Sequence, residues 1–370
     1  MSLPRLGIMA VYLKQNQLEE LPYFRLLSER GRALGLDVFV FGTEDVKPEK
    51  SAILALRYDG ASGKWVRRWA RVPDLVYDRC RYQGPVKYHD LKAFRTRFPK
   101  LLYLGRPLAN KWAIYKSMLG NEQLLPHLPE THKFSGIPET VKLVKKHRLT
   151  YLKPRNGTGG RGIIRVERTS PGHYLLQGRN QQRVILPPQY VRESQLPSRL
   201  RALGLSGQYV VQQGIDLTLP SGRVHDFRLL IQKNGRGEWD VTGCAGRVGP
   251  PRSITSNLHG GGTAVPADRL LAQRFASAEQ VRDIKQTMER IGFQAAEHLE
   301  NKYGALCELG IDLAVDPKGG VWLLEVNPKP SREVFRKIGQ RATYRRAVSR
   351  PLEYALWLYR QRERERQQSE

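Results

Sequence analysis

Apolar positions along the chain follow two periods in turn. Leu6 to Leu13 and Val38 to Phe41 are short, nearly continuous apolar runs of the kind that form buried strands. Between them, Leu21 to Leu34 keeps a helical spacing and stops at Gly35, so the start of a βαβ unit is expected. Ile53 to Tyr58 and Lys64 to Trp69 flank Asp59-Gly60-Ala61-Ser62-Gly63, which has hairpin turn chemistry. Pro73 to Tyr77 reads as a further strand and Tyr88 to Phe98 as a helix, which gives a small α/β domain over residues 1–105. From Arg106 to Thr150 the pattern is helical and loop-like, and Pro126, Pro129 and Pro138 each fix φ and remove a donor, as expected of a linker or hinge. Tyr151 to Gln213 predicts strands around a glycine-rich loop, with a short helix from Arg192 to Leu203 and a strand from Gln208 to Gln212. From Phe227 to Val326 strands enclose one long helix, whose Val281, Ile284, Met288, Ile291, Ala295 and Leu299 form a core-facing stripe. After Arg341 a basic, helical tail is expected to fray at its end. Four parts result: 1–105, a linker and small lobe at 106–213, a larger lobe at 214–340, and the tail at 341–370.

A chain of 370 residues is long enough for two or three packed units and a cleft. No apolar run approaches the length of a membrane span, and no small-residue cleavage pattern follows the amino-terminal stretch. Cys80, Cys244 and Cys307 stand far apart without metal-ligand spacing, so buried thiols in a reducing cytoplasm are expected. The 62 Lys and Arg against 35 Asp and Glu give a formal charge of +27, a field that attracts polyanions or an acidic substrate without choosing among them. No nucleic-acid recognition motif accompanies that charge.

Chemistry first shows in Lys153-Pro154-Arg155-Asn156-Gly157-Thr158-Gly159-Gly160-Arg161-Gly162-Ile163-Ile164. Four glycines in six residues let backbone N–H groups turn toward one bound anion. A dinucleotide fold would need a helix after Gly162, yet Ile163-Ile164-Arg165-Val166 is strand sequence. A Walker loop would need Lys and then Ser or Thr after its last glycine, and a protein kinase would place its lysine after the loop. What remains is a hairpin with a lysine before its glycines, closing over phosphates.

Near the other end, Glu308 to Asp316 and Val321 to Pro328 read as two strands around Pro317-Lys318-Gly319-Gly320. Asp312 interrupts an apolar strand, while Glu325 and Asn327, two apart, leave the second strand on one face. Three oxygen donors of this kind suit Mg²⁺, and carboxylates in an apolar strand require a cation or a partner nearby. Arg228 in Asp226-Phe227-Arg228 and Arg247, among small residues, are candidates for a substrate carboxylate or a γ-phosphate, because guanidinium matches such oxygens as a fork. Thr255 to Thr263, with three consecutive glycines, is a candidate second anion-binding loop.

In this order, from about Ala109 to Pro330, these pieces resemble the ATP-grasp superfamily, and most nearly the YheC/YheD type described as endospore coat-associated. Ligases that add glutamate to ribosomal protein are similar at a greater distance. The resemblance implies an α/β (α+β) ATP-grasp fold, two α+β lobes clasping ATP after a small α/β pre-ATP-grasp domain. It implies ATP and Mg²⁺ as cofactors, with Lys111 and Lys153 on the phosphates and Gly157, Thr158, Gly159, Gly160, Arg161 and Gly162 as the mobile phosphate loop. Gln212, Gln213, Gly214 and Ile215 stand where the adenine-binding hinge is expected, with glutamine in place of its usual glutamate. Asp312, Glu325 and Asn327 look like the magnesium ligands, and Arg228, Arg247 and Asn257 like the catalytic phosphate and substrate contacts. The implied reaction is carboxylate activation as an acylphosphate, captured by an amine or related nucleophile, in the cytoplasm or with spore coat components. A non-catalytic coat protein that binds acidic polymers through its basic surface is the alternative.

Overall fold

The computed structural model describes residues 3–13, 17–18, 20–47, 51–81, 85–156, 160–182 and 184–369. Its first sheet comprises β1 (Arg5–Met9), β2 (Asp37–Phe41), β3 (Val46–Lys47), β4 (Ala52–Asp59), β5 (Lys64–Arg71), β6 (Leu75–Asp78) and β7 (Leu102–Tyr103). Helix α1 (Leu21–Ala33) carries the chain from β1 to β2, and α2 (Pro85–Arg97) from β6 to β7. Both strand pairs joined by these crossovers are parallel, as is β1 with β6, whereas the tight turn after Asp59 makes β4 and β5 antiparallel. The apolar runs are continuous because both faces are covered: Leu6, Ile8, Val38 and Val40 enter one core, and Met9, Phe39 and Phe41 another. The strand expected to reach Leu13 stops at Met9, beyond which Tyr12 turns to donate to Asp45 at 2.7 Å.

After α3 (Lys111–Met118), a second sheet is assembled from β8 (Thr131–Lys133), β9 (Leu149–Pro154), β10 (Ile164–Ser170), β11 (His173–Arg179), β12 (Ile185–Arg192) and β13 (Tyr209–Gln213). Its order is β12-β11-β10-β9-β13-β8, antiparallel throughout. Helices α4 (Ile137–Lys146) and α5 (Leu196–Ala202) cover one face, packing Leu143, Leu196 and Leu200 on Leu152, Ile164, Val166, Tyr174 and Leu176. Side chains alternate along a strand, so Tyr151, Lys153, Arg165 and Gln177 occupy the opposite face.

The third sheet, β14 (His225–Lys233), β15 (Trp239–Val248), β16 (Thr263–Pro266), β17 (Glu308–Val315) and β18 (Val321–Asn327), is antiparallel in the order β16-β15-β14-β17-β18. Helices α6 (Ala267–Ala272) and α7 (Ala278–Tyr303) lie on one side of it. The expected stripe of α7 is buried from Ile284 to Leu299 against Phe227, Leu229, Ile231 and Ile311. The helix comes close because a Cβ on Gly292 would meet Leu229 at 2.5 Å. Beyond α8 (Glu333–Lys337), α9 (Arg341–Ser369) is more than a tail, since Ala347, Val348, Leu352, Tyr354 and Ala355 are buried and the helix packs on α1 and β14.

One buried cluster ties the first sheet to the third. Glu308 accepts from Tyr77 Oη at 2.5 Å, Arg79 Nη1 at 2.8 Å and Gln232 Nε2 at 3.0 Å, and pairs with Arg332. Arg79 also holds Glu20 through Nε and Nη2 at 3.0 and 2.8 Å. Burial is costly for each charge, and mutual neutralisation offsets it only while every partner stays.

Candidate functional site

The face of the third sheet turned away from α7 carries a row of charge across adjacent strands. Arg228 on β14 lies opposite Asp312 on β17, and Asp312 opposite Glu325 on β18. Strict alternation from Leu323, which points into the core, would send Glu325 into the core as well. A β-bulge prevents this: Leu313 pairs with Leu323 and Asp312 with Glu325, so Leu324 is the extra residue and Glu325 emerges beside Asp312. Asn327 follows on the same face opposite Gly310, its Nδ2 3.5 Å from Asp312 Oδ2. Both oxygens of Asp312 are engaged by cations, Oδ1 by Arg228 Nε at 2.5 Å and Oδ2 by Arg247 at 3.1 Å. Arg247 in turn makes a two-pronged bond to Asp226, at 2.7 and 2.6 Å. Burial pushes the Asp312 pKa up, but the guanidiniums of Arg228 and Arg247 outweigh it and hold the carboxyl below its usual range. Burial works against the charge of Arg247 too, and Asp226 and Asp312 more than restore it.

Lys111 opens α3 directly after Asn110, whose side chain caps the helix by accepting from Ala113 N at 3.1 Å. From there its Nζ reaches Glu325 Oε2 at 3.2 Å. On the second sheet, Lys153 donates to Gln212 Oε1 at 2.6 Å, and Gln212 donates onward to Thr131 Oγ1 at 2.9 Å. Gln212, expected at the hinge, therefore orients Lys153. Burial lowers the Lys153 pKa from 10.5 to about 8; Glu325, Asp312 and Asp226 oppose the fall and Lys111 adds to it. Those four groups all lie outside the second sheet, so the lysine faces the carboxylate row across a shared cleft. Gln213 and Gly214 donate from the main chain to Glu130 O and Leu149 O at 2.7 Å each, Gln213 Oε1 accepts from Glu130 N at 3.1 Å, and Ile215 is buried. A side chain at Gly214 would lie 2.3 Å from Leu149, which explains the glycine.

Gly157, Thr158 and Gly159 lie outside the described residues. The loop resumes at Gly160 and Gly162, both with positive φ (79° and 65°), where glycine is the undemanding residue, and Arg161 between them is exposed. A Cβ on Gly160 would sit 3.1 Å from Asn257 Nδ2, which places Asn257 beside the end of the glycine loop. Two further residues fasten the same segment to the second sheet. Arg179 donates to Ser253 Oγ at 3.2 Å and Gly260 O at 3.4 Å, and Tyr151 Oη reaches Ile254 O at 3.5 Å. Sequence reasoning singled out neither Arg179 nor the Gln212 bond to Lys153; only the alternation of β9, β11 and β13 hinted that these side chains share a face.

The residues thus brought together are Lys111, Lys153, Arg228, Arg247, Asp312, Glu325 and Asn327. They form a cleft with carboxylates on one wall and cations on both. Among the described residues no helix is long and apolar enough to cross a membrane. A family model described as YheC/D like ATP-grasp matches residues 100–358. The endospore coat-associated protein YheC of Bacillus subtilis (strain 168) is 26% identical over 338 residues, covering 88% of this chain and 90% of that protein. YheD of the same strain, also named endospore coat-associated, is 25% identical over 324 residues, covering 86% and 70%. Among solved structures, that of D-cycloserine synthetase DcsG superposes with a TM-score of 0.52 at 12% identity, over 94% of this chain and 99% of that one.

Proposed function

Because the chain belongs to the YheC/D-like ATP-grasp family and has that α+β fold, we propose that it uses Mg-ATP to activate a carboxylate for ligation. Lys111 and Lys153 take the phosphates, with Gly157 to Gly162 closing over them. The segment Gln212, Gln213, Gly214 and Ile215 edges the adenine. Asp312, Glu325 and Asn327 would hold Mg²⁺ through hard oxygens, Asp312 in exchange for a guanidinium that it now pairs with; the metal would neutralise charge on the phosphates. A carboxylate oxygen attacks the γ-phosphorus and ADP leaves. An amine then attacks the acyl carbon and phosphate departs. Arg228, Arg247 and Asn257 orient the transferring group and hold its charge; the chain needs no nucleophile of its own, because phosphoryl transfer depends on position and charge.

The observation that carries this reading is the row in which Lys111 meets Glu325 at 3.2 Å beside Asp312, itself flanked by Arg228 and Arg247, while Gln212 holds Lys153 on the second sheet. Lys153→Ala and Glu325→Ala are each expected to abolish ATP turnover with the circular dichroism spectrum unchanged; turnover at the parent rate in either would refute the assignment. Incubation with Mg-ATP and pools of amino acids and acidic peptides, followed by ADP release and product mass, identifies the acid and the nucleophile. The relatives' names also support association with the endospore coat, for which recovery in spore coat extracts is the test.

A further inference from the structure

Charge is unevenly shared along the chain. Residues 131–213 hold fifteen Lys and Arg and only three Glu, whereas the whole chain of 370 residues has 62 and 35. The second sheet's unit therefore carries +12 of the +27 on 83 residues, and of its acids Glu167 and Glu193 are already paired, with Arg165 and Lys145. On the face of this sheet away from α4 and α5 a cavity of about 370 Å³ opens, lined by Arg148, Arg165, Arg252, Glu167, Gln177 and Asp216. None of the residues around Lys153 and Asp312 lines it. Its three guanidiniums outnumber its two carboxylates, and Arg165 Nε is buried without a partner.

The sheet face that carries the cavity runs on to an open edge. Gln177 shares its pleat face with Leu175 two residues earlier, and Leu175 lies opposite Tyr190 on the edge strand β12. Tyr190 is 77% exposed, with Val184 at 58% and Ile185 at 53% where the same strand begins, and Arg192 is exposed at the end of the strand. Apolar side chains this exposed on one edge mark a contact surface. Pro187 and Pro188 remove N–H donors from that edge, so a partner is held by side chains rather than by an added strand.

We propose that this track, from Val184, Ile185 and Tyr190 to the arginine-lined cavity, docks an acidic polypeptide. Charge complementarity selects a polyanion, and the aliphatic pair selects a polypeptide over a nucleic acid, which would need a series of aromatic platforms where this edge offers Tyr190. The inference extends the carboxylate-activating reading by naming the class of substrate, yet docking needs no ATP and stands or falls separately from turnover.

The test is fluorescence anisotropy of labelled poly-L-glutamate at about 0.15 M salt, against a single-stranded DNA oligonucleotide of equal charge. The parent is expected to bind poly-L-glutamate more tightly than the DNA. R192E/R252E, on the track, is expected to weaken binding about tenfold and Tyr190→Ala to weaken it measurably. R199E/R201E changes the net charge equally, but on exposed positions of α5 over the other face, and is expected to leave affinity within about twofold. Melting curves confirm that all three variants are folded. Absence of poly-L-glutamate binding, equal losses in the two double variants, or equal or tighter binding of DNA would each overturn the proposal.

Discussion

Lys153 offers a perturbation that needs no mutation, because pH alone changes its charge. In the free protein its pKa falls from 10.5 to about 8, chiefly through burial, a difference equivalent to about 3 kcal/mol. Phosphates placed beside the ammonium favour the charged form and raise the pKa again, so nucleotide binding takes up a proton wherever the free lysine has lost it. The sign follows. Affinity for Mg-ATP is full below pH 8 and declines above it, by about tenfold between pH 7 and pH 9 if Lys153 is the group that titrates. Isothermal titration in two buffers of different ionisation enthalpy measures the uptake directly, about half a proton at pH 8. Lys153→Arg keeps its charge over this range and is expected to flatten the profile. Folding shows the opposite trend: the unfolded lysine holds its proton up to 10.5, so this group's contribution to stability grows as pH rises from about 8 toward 10.5. An affinity independent of pH from 7 to 9 in the parent, or the same decline in Lys153→Arg, would refute the placement of Lys153 on the phosphates.

Other expectations follow from the packing. Arg247→Met leaves Asp226 and Asp312 buried without their shared cation, and a urea titration should show a loss of about 3–5 kcal/mol. Glu325→Ala removes a half-exposed pair with Lys111 and should cost under about 1 kcal/mol in the same titration while eliminating turnover. Glu308→Gln strips the neutralising charge from Arg332 and leaves Arg79 with Glu20 alone, costing about 3 kcal/mol or more, read as a fall in the thermal midpoint. Gly162→Ala and Gly172→Ala both force a side chain onto positive φ, about 1–2 kcal/mol each. Only at Gly162, where the new Cβ meets Gln181 at 2.4 Å, should the KM for ATP rise as well.

Local order was readable wherever a few neighbouring residues suffice to specify it. The α7 stripe, the turn after Asp59, the continuous apolar strands of the first sheet and the glycines at 160 and 162 each follow from spacing or from a dihedral that few residues adopt. Residue types at the site were equally legible, since an apolar strand bearing Asp312 and a second bearing Glu325 and Asn327 demand cations. Less was evident from α9, whose many arginines mask the buried Ala347, Leu352 and Ala355. Tertiary structure alone decided that Leu324 bulges to bring Glu325 beside Asp312, that Arg247 spans Asp226 and Asp312, and that Gln212 steadies Lys153. Periodicity records which side of its own element a residue occupies, because backbone geometry fixes that side within a turn or a pleat. Which charges meet across 159 positions of chain, as Lys153 and Asp312 do, depends instead on how separate sheets bury their apolar faces, a balance struck over the whole molecule.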